Sequence, residues 1–289
     1  MSEDKNQTEV PSTKLPPTKQ SKKKLWMILG IIIVIVLLVS TVAVLNFFAS
    51  NGQLIDGETL SLGFSYSQGE IMDYSTQITS SLTVDGVPQS SSSSTLTAMI
   101  TQEILSTDEN TYTIRTTTQT FSPSAGSSSY TVTMDKSGKI IDYGNLPAET
   151  QQMMRSMSTI PGFGSYFPKQ TAKVGESWQV PINLQFSGMS FQGTVNYKIV
   201  DSGSKTVPAG TYDVISIEIS AADLELTISS STESVVFMTD YDGQIDLEKG
   251  TCRMIQLDMN VKMTATIEGE TGVIDSSMLM LLEQHTKVK

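Results

Sequence analysis

From residue 74 onward, apolar and polar side chains alternate with a period of two, and this constrains the fold more than any other feature of the chain. Tyr74, Thr76, Ile78, Leu82 and Val84 share one parity against Asp73, Ser75, Gln77, Thr79 and Ser81. Leu96, Ala98, Ile100 and Ile104 alternate with Thr97, Thr101 and Glu103. Tyr112 opens a Thr-rich run to Thr120, and Tyr130, Val132 and Met134 mark another. The longest pattern sets Ile255, Leu257, Met259, Val261, Met263, Ala265 and Ile267 against Gln256, Asp258, Asn260, Lys262, Thr264 and Thr266. Successive strand side chains point to opposite faces, so the pattern predicts long antiparallel strands with one face on a core and one in water.

Local chemistry refines this expectation. Asp85-Gly86, Ser137-Gly138 and Asp242-Gly243 lie between strand-like runs, where hairpins want positive φ. At Ala221-Ala222 the phase flips: Ile215, Ile217 and Ile219 are odd, whereas Leu224, Leu226 and Ile228 are even, which predicts a bulge or bend. Ser277 to Val288 reads as a closing strand, with helix the competing assignment for Met278 to Gln284. The Ser-rich stretches Gln89–Ser94 and Ser122–Ser129 read as hairpin tips.

One segment reads as a helix, 147–160. Pro147 suits its first turn, Met153, Met157 and Ile160 recur at helical spacing, and Pro161-Gly162 ends it. The halves on either side resemble each other. Gly69-Glu70 and Gly175-Glu176 precede long runs, Thr111-Tyr112 and Thr211-Tyr212 open others, and Gly138 and Gly243 follow similar ones, at offsets of 106, 100 and 105 residues. These marks predict a duplicated β unit.

Ahead of this region lies Leu25 to Phe48, 24 residues without a charge. As a helix it would span roughly 36 Å, enough to cross a hydrocarbon core of about 30 Å. A cleaved signal peptide is the alternative, with Thr41-Val42-Ala43 as its cleavage region, but the apolar run is longer than such peptides carry. All six lysines of residues 1–24 precede the run, and no Lys or Arg follows until Arg115. This asymmetry predicts a cytoplasmic N-terminus and an extracytoplasmic C-terminal domain at the cell membrane.

The expected organisation is therefore a disordered tail over 1–24, a transmembrane anchor over 25–48, a spacer over 49–57 and a β-rich domain over 58–289. Its halves, 58–146 and 165–289, are joined by the helix 147–160. The expected class is mainly β (α+β): a curved antiparallel sheet or half-barrel with one central helix.

Charge excludes some functions. The chain holds 19 Lys plus Arg and 30 Asp plus Glu; the tail takes six lysines and three acids, leaving 13 basic and 27 acidic groups, a formal charge of −14. Such a surface repels nucleic acid. With one cysteine, Cys252, no intramolecular disulfide forms. That cysteine reads as a small strand-end residue, with a nucleophile or an intermolecular bridge as the other readings.

Catalytic chemistry is poorly represented. His285 is the only histidine, which argues against His-based triads and multi-His zinc sites. Ser202-Gly203-Ser204-Lys205 matches a Ser-x-x-Lys pattern but sits among turn residues. Asp240, Asp242, Asp246 and Glu248 offer oxygen ligands, yet their spacing is not that of a calcium loop and fits a strand with a wet face. The sequence therefore predicts no enzyme, no metal and no cofactor.

The stretch Ser165-Tyr166-Phe167-Pro168 through Val174-Gly175-Glu176-Ser177-Trp178, with Thr206-Val207-Pro208-Ala209-Gly210-Thr211-Tyr212, resembles prokaryotic extracytoplasmic β-rich domains of unknown function. These are similar in architecture to lipoprotein carriers of the LolA and LppX types. The resemblance covers roughly residues 165–289 and, more faintly, 60–145. It implies a curved sheet that wraps apolar ligands beneath a helical lid, and hence a binding protein for lipid or another apolar ligand. Met153, Met157 and Ile160 are then the candidate ligand-binding residues, since flexible thioethers suit variable acyl chains. The same methionines would also fill an ordinary core. A structural or protein-interaction module of the cell surface, with a protein partner, is the other reading.

Overall fold

In a computed structural model the described residues are 60–61, 64–84, 92–122, 125–136, 139–148, 150–151, 171–186, 189–229, 234–267 and 270–287. They form thirteen strands. The first half contributes β1 (Leu60–Ser61), β2 (Ile71–Val84), β3 (Ser92–Thr107), β4 (Thr111–Ser122), β5 (Gly126–Asp135) and β6 (Ile140–Asp142). The second contributes β7 (Thr171–Ala172), β8 (Ser177–Phe186), β9 (Met189–Val207), β10 (Gly210–Ser229), β11 (Ser234–Glu248), β12 (Met254–Ile267) and β13 (Glu270–Thr286).

Eleven of these form one antiparallel sheet in the order β6-β5-β4-β3-β2-β13-β12-β11-β10-β9-β8, and β1 pairs with β7 apart from it. Each half is a meander of sequential neighbours. β13 stitches them, since it pairs with β12 on one side and with β2 on the other. Both meanders start from the same turn. Gly69 and Gly175 hold positive φ, and each donates its N–H to a carbonyl of the second strand of its meander, Ile104 or Ile199.

The alternation explains the packing. Cross-strand partners share a face, and one row runs Ile199–Ile217–Ile245–Leu257–Met280–Thr76–Ala98 across seven strands. These side chains are buried. A second row runs Trp178–Tyr197–Ile219–Gly243–Met259–Met278–Ile78. The sheet curls around this face: β9 touches β12 and β13, and Ala209 in the β9–β10 turn donates its N–H to Leu282 O at 3.2 Å.

Local irregularities produce the curl. The register shifts between Ala221 and Leu224, where Asp223 adopts a φ of 55° and donates its N–H to the Asp240 carboxylate at 2.8 Å. This is the bulge expected from the phase flip. Beside it Gly193, at a φ of 147°, leaves the space that Leu224 fills. A Cβ on Gly243 would stand 2.5 Å from Asp258 O, so only glycine permits this approach of β11 to β12.

Several expectations are corrected. The α+β class, with a central helix over 147–160 and a transmembrane helix over 25–48, gives way to an all-β fold among the described residues. Among them residues 148, 150 and 151 have helical geometry, and Gln151 N–H donates to Pro147 O at 2.9 Å. No helix among them is long and apolar enough to cross a membrane. The physical reason is that the period-two alternation continues through both halves of the described chain. Residues 25–48 and 152–160 lie outside the described residues.

Asp242-Gly243 is no hairpin turn; it lies inside β11, because Thr239, Tyr241, Ile245 and Leu247 keep one phase through it. The third mark of the repeat therefore does not correspond, whereas the other two do. Ser202–Lys205 belongs to β9 rather than to a turn.

Candidate functional site

The candidate site is the inward face of the curled sheet. Its inward positions are Met72 to Leu82 on β2, Leu96 to Gln102 on β3, Phe237 to Leu247 on β11, Leu257 to Ala265 on β12 and Ile274 to Leu282 on β13. None of them is charged. The inward stretches of β9 and β10, Val195 to Ile199 and Ile215 to Leu226, are likewise uncharged. The acids of these strands, such as Asp73, Asp240, Asp242 and Asp258, occupy the alternate, outward parity. The strand period therefore sorts the negative charge to the outside and leaves an interior of Ile, Leu, Met and aromatic residues.

That interior is not wholly apolar. Thr76 Oγ1, Gln102 Oε1, Trp178 Nε1, Tyr197 OH and Thr239 Oγ1 are buried there with no hydrogen-bond partner. An unsatisfied buried polar atom costs about 1–3 kcal/mol, so a group of them on one face calls for an explanation. Trp178 and Tyr197 stack face to face, with centroids 5.4 Å apart and planes 7° from parallel. Burial pushes the Tyr197 phenol well above its ordinary range, so it remains a neutral hydroxyl.

At one end of the sheet the charged groups that are buried meet each other. Arg253, on the lead into β12 and 1% exposed, bonds to Glu70 before β2 and to Glu248 at the end of β11. His285 Nε2 lies 2.6 Å from Glu70 Oε1, and Nδ1 lies 3.4 Å from Arg253 Nη1. Because a guanidinium only donates, Nδ1 is the acceptor and Nε2 carries the proton. Burial alone would raise the Glu70 carboxyl; the His285 hydrogen bond and the Arg253 charge outweigh it and hold the group below its ordinary value. The Ser67 N–H also donates to Glu70, at 3.0 Å. The cluster therefore bridges both meanders, with the Arg253 guanidinium shared between two carboxylates.

A second buried acid, Asp246, faces outward from β11. It accepts from Ser216 Oγ at 2.6 Å and Gln244 Nε2 at 2.8 Å, and pairs with Lys205 at 3.0 Å. The acidic stretch read as a candidate ion site is thus divided between outward strand positions and separate partners. Cys252 is buried in the β11–β12 turn with a φ of 46°.

Of the residues singled out by sequence, Met153, Met157 and Ile160 lie outside the described residues. Met263, Met278 and Met280 are buried on the inward face, and Met259 stands in the same row as Met278. Sequence reasoning missed the buried polar atoms and the Arg253 cluster. Parity was the available signal for the former: Thr76, Gln102 and Thr239 sit in phase with apolar neighbours.

No protein-family model matches the chain, and no curated protein sequence matches it. Among solved structures, the chain is similar to a Bacteroides fragilis protein assigned as exported, with a YmcC-like fold. The identity is 7% and the TM-score 0.31, over 78% of this chain and 100% of that one. It is also similar to a Parabacteroides distasonis protein assigned as a lipoprotein, at 9% identity and a TM-score of 0.33, over 77% and 97%. The attachment invasion locus protein Ail of Yersinia pestis matches at 5% and 0.20, over 74% and 99%. Likeness at these scores carries no functional argument, and it does not show the expected similarity to LolA- and LppX-type carriers.

Proposed function

We propose that the chain is an extracytoplasmic, non-enzymatic binding protein that holds a lipid or another apolar ligand against the inward face of its curled sheet. The uncharged inward face, with its unpartnered polar atoms, is the observation that carries this reading. A mainly apolar lining with a few polar groups is the ordinary composition of a small-molecule site. The absence of catalysis is supported by the way Glu70, Glu248, Arg253 and His285 engage one another. The apolar run 25–48 and the lysines before it support attachment at the cell membrane with the sheet outside.

Phe121, Val236 and Met238 favour a second reading, a surface module that contacts another protein, because they are large, apolar and exposed. Purification of the full chain followed by organic extraction and mass spectrometry separates the two. A stoichiometric lipid in the extract supports the binding reading. Its absence, together with failure to take up a fluorescent fatty acid, leaves the surface module.

A further inference from the structure

On the outward face, Lys205 and Asp246 hold an amine against a carboxyl that is withdrawn from water. We propose that this pair is a self-processing cross-link site, in which Lys205 Nζ and the Asp246 side chain condense to an isopeptide bond with loss of one water. The bond straps β9 to β11 across β10, in a chain whose single cysteine allows no internal disulfide.

Nζ stands 3.0 Å from Asp246 Oδ2. Cγ is one bond behind that oxygen, so the amine starts close to the attack distance of about 3–3.5 Å. The other carboxyl oxygen, Oδ1, accepts from Ser216 Oγ at 2.6 Å and from Gln244 Nε2 at 2.8 Å. Two donors aimed at one oxygen are what a tetrahedral intermediate needs when negative charge develops there. The Asp246 side chain is 2% exposed and that of Lys205 32%, so the carboxyl is buried while the released water has a way out.

The step balances without a co-reactant. A proton passes from the ammonium to Oδ2, giving a neutral amine and a carboxylic acid. The amine lone pair forms the bond to Cγ, and the C=O electron pair moves onto Oδ1, between Ser216 and Gln244. Nζ then gives a second proton to the Oδ2 hydroxyl, the Cγ–Oδ2 bond breaks, and water leaves as Oδ1 returns to a carbonyl. The product is a neutral amide with one hydrogen left on Nζ. It removes two charges from a place where desolvating them is costly. Fixed strand register supplies the driving force, since well-oriented intramolecular groups reach effective concentrations of about 10⁵ M or more. Arg253 has no such course, because its guanidinium stays protonated.

Intact-mass spectrometry and peptide mapping of the purified full chain test the proposal. The wild type should be lighter by one water than its sequence requires, and its protease digest should contain a branched peptide joining the Lys205 and Asp246 segments. Lys205→Arg keeps a cation beside Asp246 but cannot condense. Beyond the mass of the substitution itself, it should regain one water and lose the branched peptide. A wild-type digest that yields the two segments only as separate peptides overturns the proposal and leaves an ordinary ion pair, whether or not the variant folds. A missing water that persists in Lys205→Arg also overturns it, because a succinimide at an Asp-Gly step such as Asp242-Gly243 loses the same mass.

Discussion

Glu70 and Glu176 fold their side chains back in the same way, each accepting at 3.0 Å the backbone N–H of the residue three positions earlier, Ser67 or Lys173. Each then feeds a long strand through a backbone bond to the second strand of its meander. The two turns differ in what lies beyond them, because only Glu70 is pinned by Arg253 and His285. Glu70→Gln should therefore destabilise the sheet by about 3–5 kcal/mol, as expected when one partner of a buried ion pair is lost. Glu176→Gln should lower stability by about 1 kcal/mol. Urea denaturation of the two variants measures the difference.

The same residue fixes an acid limb of stability. Glu70 titrates below its ordinary value of 4.5 in the folded chain. A carboxyl depressed by folding contributes stability that is fully present above the unfolded value and is lost as pH falls through the folded one. Stability should decline below about pH 4.5, and the decline should be shallower in Glu70→Gln. Parallel urea titrations of wild type and variant from about pH 6 to about pH 3 check this.

Backbone bends give a further prediction. Gly193→Ala places a Cβ against Leu224 at a φ of 147°, and Gly243→Ala drives one into Asp258 O. Each should destabilise by about 2–3 kcal/mol through overpacking, with strain added at Gly193. Gly175→Ala meets no atom within 4 Å, so its φ of 87° is the sole penalty, about 1 kcal/mol. Thermal melts of the three variants should rank accordingly.

If the buried hydroxyls serve a ligand rather than the fold, removing them should help the empty protein. Thr76→Val and Thr239→Val should each stabilise the delipidated chain by about 1 kcal/mol, since each replaces an unpartnered hydroxyl by a methyl of the same shape. Destabilisation by either would mean that the hydroxyl has a structural partner.

Much of the sheet was legible in the sequence. The parity of Leu257, Met263 and Ala265 identified the buried face of β12, and the flip between Ile219 and Leu224 located the bulge in β10. Asp242-Gly243 misled because its composition is that of a turn, while the phase of Tyr241 and Ile245 on either side shows an uninterrupted strand. The Arg253 cluster was not legible, because its members stand 183 and 215 residues apart in the pairs Glu70–Arg253 and Glu70–His285. No local period reports such a pairing. The curl that brings β9 to β12 and β13 was likewise set by bends whose combined effect no single motif encodes.

The claim that the inward face receives an apolar ligand is tested most directly at Trp178, one of two tryptophans in the chain. In the full-length Trp26→Phe variant, held in amphipol, Trp178 is the sole indole emitter. Titration with a monoacylglycerol brominated along its acyl chain should quench its fluorescence saturably, and unbrominated monoacylglycerol should reverse the quenching. Emission that the brominated lipid leaves unchanged, in a chain shown to be folded and free of co-purified lipid, would contradict the account.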